Sequence, residues 1–166
     1  MTYKDLHRYV LSCGLLFVPV MLWDAVFTGL LPQPLSSEEF WRDIPPLVAY
    51  GENALRVIVI ALPFLMPLDL SIAVQRRRLA LFAIGMSVYV LAWLPLIAVP
   101  LSVWSTSWPG VLAPAITPML WLTAIGLLGQ RLYWRIPYRS WCYAALAGAF
   151  VALHVTHTYI VYARNY

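Results

Sequence analysis

Charge is what this sequence has least of. Charged residues make up 11% of its 166 positions, where a soluble domain has about a quarter. Hydrophobic residues make up 62% and the mean hydropathy is +0.76, too apolar for a buried core inside a polar shell. The shortage excludes an ordinary water-soluble domain and leaves an integral membrane protein. Lysine is nearly missing. Lys4 is the one copy, so no helix carries an amine for a retinal Schiff base. Cys13 and Cys142 form no CxxC pair, which points away from a zinc site and from a disulfide scaffold. Walker, Rossmann, HExxH and GxSxG motifs are absent, as are internal repeats and low-complexity segments.

What the sequence does have is apolar runs. A bilayer core about 30 Å thick needs about 20 mostly apolar residues as helix. Five stretches meet that length: about 9–31, 46–68, 79–101, 110–130 and 140–163. Pro19, Pro63, Pro67, Pro95, Pro100, Pro114 and Pro118 fall within or near them, which helices in lipid tolerate when neighbours satisfy the freed backbone. The N-terminus resembles a signal peptide, but its apolar run is too long and no A-x-A-like site follows; it reads as an uncleaved first span. The expected fold is all-α: a polytopic integral membrane protein, five transmembrane helices in one compact bundle, a single membrane domain over 1–166. Between the first two runs, "PQPLSSEEFWRDIPP" predicts a short interfacial helix over about 36–43. Ser36 or Ser37 is its N-cap, Glu38 and Glu39 fill its first turn, and Phe40 and Trp41 anchor it.

The net charge of +4 would suit nucleic acid, but the basic residues sit in short clusters between apolar runs, a topology signal instead. Lys4, Arg8, Arg76–Arg78, Arg131, Arg135 and Arg139 fall on one side, Arg42 and Arg164 on the other, and Arg56 inside a run. The positive-inside rule then expects the N-terminus in the cytoplasm and the C-terminus outside, in the cell membrane (the inner membrane of a bacterium). Trp104 and Trp108 are expected at the outer headgroup level and the aromatics of "RLYWRIPYR" at the inner one.

With that orientation, depth follows at 1.5 Å per helical residue. Asp24, Glu52 and His154 each come roughly 21 to 22 Å above the inner boundary, His157 slightly higher and Arg56 near the midplane. Three helices thus put titratable side chains in the outer half of the membrane, where each is costly unless it faces the interior and pairs. Glu52 and Arg56 are spaced i, i+4 and predict a pair along one face. Asp24 then requires a partner from elsewhere: Arg56, a histidine or its own proton. His154 and His157 share a face with Ala147, Phe150 and Val161, while Ala144, Gly148 and Ala152 predict close helix packing. Each pairing has a plain structural reading: an internal ion pair, a wet carboxylate, interfacial histidines, and Asn53 as glue between helices.

The expectation is an outward-facing polar pocket. Its first reading is an enzyme doing acid/base chemistry (isomerisation, cyclisation or hydrolysis) on an amphiphilic or lipid-derived molecule. Asp24, Glu52, His154 and His157 are its catalytic candidates; Asn53, Arg56, Trp104 and Tyr159 are its substrate-binding candidates. No cofactor is expected, although His154 and His157 with Asp24 or Glu52 would supply a two-histidine, one-carboxylate metal set. Bis-histidine haem fits worse, since His7 lies on the opposite side. The expected partners are the lipid bilayer and an amphiphile, with no nucleic acid and room for a membrane-protein partner or a homo-oligomer. A second reading is a non-catalytic subunit of a membrane complex. A third, a transporter or channel, lacks polar lining in the inner half.

Overall fold

The computed structural model describes residues 11–133 and 137–166. Lys4, His7, Arg8, Arg135 and the start of the first run lie outside them. Among the described residues there are no β-strands, and five helices are long and apolar enough to cross a bilayer: Cys13–Leu30, Pro46–Leu65, Ala73–Ala98, Trp108–Leu128 and Ser140–Asn165.

In chain order the α-helices are α1 (Phe17–Phe27), α2 (Ser37–Trp41, between the first two spans), α3 (Pro46–Ala61), α4 (Ala73–Ala98), α5 (Trp108–Ile116), α6 (Pro118–Leu128) and α7 (Ser140–Asn165). Local chemistry sets their ends. The Ser36 side chain accepts from Glu39 N and starts α2, and Asp43 follows it at φ 51°, a left-handed position that Asp tolerates. Pro46 opens α3, where a missing N–H costs nothing. Ser107 caps α5 ahead of Trp108 and Pro109. Thr117 keeps helical angles, so α5 and α6 form one span interrupted only by the hydrogen bond that Pro118 cannot donate.

The third span begins earlier than its hydrophobicity predicts, at Ala73 instead of about 79. Arg76–Arg78 are therefore helical, since arginine is a good helix former and apolarity marks only the lipid-facing part. Arg78 donates to Leu127 O and buried Gln75 donates to Leu128 O at 3.2 Å, satisfying the last carbonyls of α6. This end is closed further by Cys13 N on Met66 O, Leu68 N on Leu11 O and Tyr133 N on Leu65 O, each 2.9 Å. The Tyr138 hydroxyl donates to Gly126 O at 3.1 Å. Burial holds that phenol above its ordinary pKa, so it remains a donor.

α4 packs along α6, and α3 along α7. Glycine sets the first contact: a Cβ on Gly85 would lie 2.8 Å from Trp121 N, so only Gly admits the α6 backbone there. The Ala144–Gly148–Ala152 stripe does not do the same. Ala152 is exposed, and a Cβ on Gly148 would meet Met119 Cε at 3.8 Å, ordinary contact. α1 stands more loosely than the other spans: among the described residues its closest backbone neighbours are the short 3-10 turns that flank it. Side chains bridge it instead, with Phe17 edge-on to Trp121 at 5.4 Å.

Candidate functional site

The i, i+4, i+7 face of α3 carries Glu52, Arg56 and Val59. Glu52 and Val59 are fully buried, and Arg56 donates to Glu52 Oε1. On α7 the inward face runs Tyr143, Ala147, His154, His157 and Val161, and the Tyr143 hydroxyl donates to Val59 O at 3.0 Å. Gly51 makes the approach at Glu52 feasible, because a Cβ there would sit 2.9 Å from Leu153 Cδ1. The two histidines then reach the same carboxylate: His154 Nδ1 is 3.0 Å from Oε1 and His157 Nδ1 is 2.6 Å from Oε2.

Donor and acceptor inventories fix the tautomers. His157 Nε2 lies 2.8 Å from Phe40 O, and a carbonyl only accepts, so Nε2 carries a hydrogen. One proton then lies between His157 Nδ1 and Glu52 Oε2. Oε1 already accepts from Arg56, a group without acceptors, so His154 Nδ1 donates to it as well. His154 Nε2 has no hydrogen-bond partner among the described residues, and in the neutral ring it carries the lone pair. Phe150 stacks parallel to the His154 ring at 5.7 Å and helps hold its plane.

Above this cluster lies α2. Phe40 stacks on His157 at 4.1 Å and Trp41 meets it edge-on at 4.7 Å. Arg56 lies over the Trp41 ring at 5.6 Å. Buried Glu39 clamps the cover to α7 and its own loop, pairing with Arg164 at 3.4 Å and Arg42 at 2.8 Å.

Asp24 on α1 meets none of the predicted partners directly. It accepts from the Tyr89 hydroxyl at 2.7 Å, and Tyr89 in turn contacts Trp93 and Trp121 edge-on at 5.9 and 6.2 Å. Between the two groups lies a cavity of about 490 Å³, lined by Asp24, Tyr89, Arg56 and His154 among mostly aromatic and aliphatic side chains.

The predicted residues therefore divide. Asp24, Arg56 and His154 line the cavity. Glu52 and His157 are fully buried behind its wall. Asn53 does not line the cavity: exposed one residue past Glu52, it donates to Ala49 O at 3.0 Å and accepts from Arg56 at 3.3 Å. Trp104 is exposed in the loop after α4, and Tyr159, two residues beyond His157, points to the opposite face; neither lines the cavity. The histidines and Glu52 are spent on one another, and among the described residues no three His, Cys, Asp or Glu side chains are arranged to hold a metal ion. Tyr89, Phe40 and Trp41 belong to the site and were not predicted for it. Phe40 and Trp41 read as membrane anchors because nothing local distinguishes a cover from an anchor. Tyr89 is one of many aromatics in an apolar run.

Comparison with known families, curated proteins and solved structures finds no match to this chain. What its fold and site define is a helical protein with five helices long and apolar enough to cross a membrane among the described residues, an aromatic-walled cavity, a carboxylate-held histidine on one side and a tyrosine–aspartate pair on the other.

Proposed function

We propose that the chain is a membrane-embedded enzyme doing acid/base chemistry on an amphiphilic or lipid-derived molecule held in this cavity. The chain crosses the cell membrane five times, N-terminus in the cytoplasm and C-terminus outside. Among the described residues Arg76–Arg78, Arg131 and Arg139 fall toward one end of the spans and Arg42 and Arg164 toward the other, which supports that orientation. The cavity then lies in the outer half.

One observation carries the catalytic reading. Glu52 takes the Nδ1 hydrogen of His154, leaving Nε2 as a base beside the cavity. A base whose far nitrogen is held by a carboxylate is oriented and, once protonated, stabilised. His154 removes a proton from the substrate; Asp24, as a carboxylic acid held by the Tyr89 hydroxyl, supplies one from the other side. Glu52 and His157 are positioning groups, and Arg56 faces developing negative charge. Isomerisation and cyclisation need only these two proton transfers, and hydrolysis adds a water.

The test compares lipid extracts, by mass spectrometry, from cells expressing the wild-type chain or single variants. A species consumed or formed by wild type should be unchanged by His154→Ala, with a rate loss of about 10² to 10⁴, while the variant stays inserted at wild-type abundance. If every substitution lowers abundance or dissociates a complex and no species changes, the chain is a structural subunit.

A further inference from the structure

We propose that the cavity's ligand is a long-chain amphiphile with an oxyanion head, a carboxylate or phosphate on a hydrocarbon chain, and that it arrives sideways from the bilayer between α1 and α3. The inference rests on the reading above for the cavity's being the working site, and it adds the ligand's chemistry and route.

Unmet donors define the head. Arg56 has five N–H groups and spends them on Glu52 and on Asn53 Oδ1 at 3.3 Å. Its side chain is still 34% exposed and borders the cavity. Trp93 and Trp121, 8% and 5% exposed, also line the cavity, and neither indole Nε1 has a hydrogen-bond partner. Trp93 Nε1 approaches the Tyr89 hydroxyl without closing a bond. All three groups donate and cannot accept, and an unmet buried donor is stabilised by any acceptor brought to it. Charge points the same way. Arg56, ionised Glu52 and the doubly hydrogen-bonded His157 sum to one positive charge beside the cavity, and Asp24, bonded to Tyr89, adds none as a carboxylic acid. An oxyanion therefore pairs with the cation of Arg56 and not with His154, whose Nε2 offers it only a lone pair.

The route follows from packing. Tyr89 bridges α1 to α4 and Phe17 bridges it to α6, but among the described residues no hydrogen bond or ring contact joins α1 to α3. Met21 on α1, 55% exposed, and Arg56 on α3, 34% exposed, both line the cavity, so each is open to the cavity and to the outside of the bundle. A hydrocarbon chain extending between them stays in lipid while its head is inside.

The experiment uses the full chain in phosphatidylcholine nanodiscs and a diazirine-bearing stearic acid, with cross-links mapped by peptide mass spectrometry. Oleate, dodecyl phosphate, oleyl alcohol and inorganic phosphate compete. Cross-links on α1, α3 or the Trp93–Trp121 wall, blocked by oleate or dodecyl phosphate but not by oleyl alcohol or inorganic phosphate, are expected. Which of the two effective competitors binds more tightly separates carboxylate from phosphate. Arg56→Gln should weaken oleate about tenfold or more and Arg56→Lys should recover most of it, with thermal stability followed in both. Trp121→Phe should weaken it about fivefold. Equal competition by oleyl alcohol, full competition by inorganic phosphate, indifference to Arg56→Gln, or labelling confined to the outer surface of the helices overturns the proposal. Specific binding without turnover sinks only the enzymatic reading; turnover of a ligand with no oxyanion preference sinks only this one.

Discussion

At Glu52 a single buried carboxylate receives Arg56, His154 and His157, and the three partners do unequal work. Removing the charge leaves two histidines and an arginine without their acceptor. Glu52→Gln should therefore cost about 3 to 5 kcal/mol, read from the midpoint of thermal or denaturant unfolding in detergent. His154→Ala, which empties a site on the cavity side, should cost far less in stability while removing the chemistry. Tyr89→Phe removes one hydrogen bond to Asp24 and should cost about 0.6 to 2 kcal/mol. If Glu52→Gln and His154→Ala prove equally destabilising, the division between a positioning carboxylate and a working base is wrong. The sequence showed the i, i+4 pair and the shared histidine face, because helical spacing is local information. It did not show Tyr89 as the partner of Asp24, since a residue 65 positions away is brought there only by tertiary packing.

Elements meet where side chains vanish. Gly85 lies on the α6 backbone, and Gly148 makes only ordinary contact with Met119. Gly85→Leu should separate α4 from α6 at a cost of about 1 to 3 kcal/mol, whereas Gly148→Ala should stay within about 0.5 kcal/mol. The small-residue spacing in the sequence pointed to the second site, yet the close approach is at the first, because spacing alone does not say which face a neighbour takes. The short helix at 37–41 was legible from Ser36 and the two glutamates; its place over the histidines was not. His157→Phe keeps ring stacking but loses the bond to the Phe40 carbonyl. It should speed limited tryptic cleavage at Arg42 several-fold, the sign of a loosened cover; unchanged cleavage would mean α2 is held by Glu39 and Arg164 instead.

On the scale of the whole molecule, five helices of membrane-spanning length among the described residues follow from five apolar runs, since a bilayer asks little more of a sequence than length and apolarity. Their ends were less legible, as at Ala73, where arginines continue the helix beyond the apolar stretch. A C-terminal alkaline phosphatase fusion should be active and a green fluorescent protein fusion dark; the reverse would place the cavity in the inner half and undo its outward orientation. The loose packing of the first span had no sequence signal, because α1 is as apolar as the spans that pack closely.

The most direct test of the account is the protonation of its two histidines, read by ¹⁵N nuclear magnetic resonance of ring-labelled protein in nanodiscs at neutral pH. His154 is predicted to be the neutral Nδ1–H tautomer with a bare Nε2, and His157 to be hydrogen-bonded at both nitrogens with a hydrogen on Nε2. An Nε2–H tautomer at His154 would leave no base beside the cavity and contradict the account.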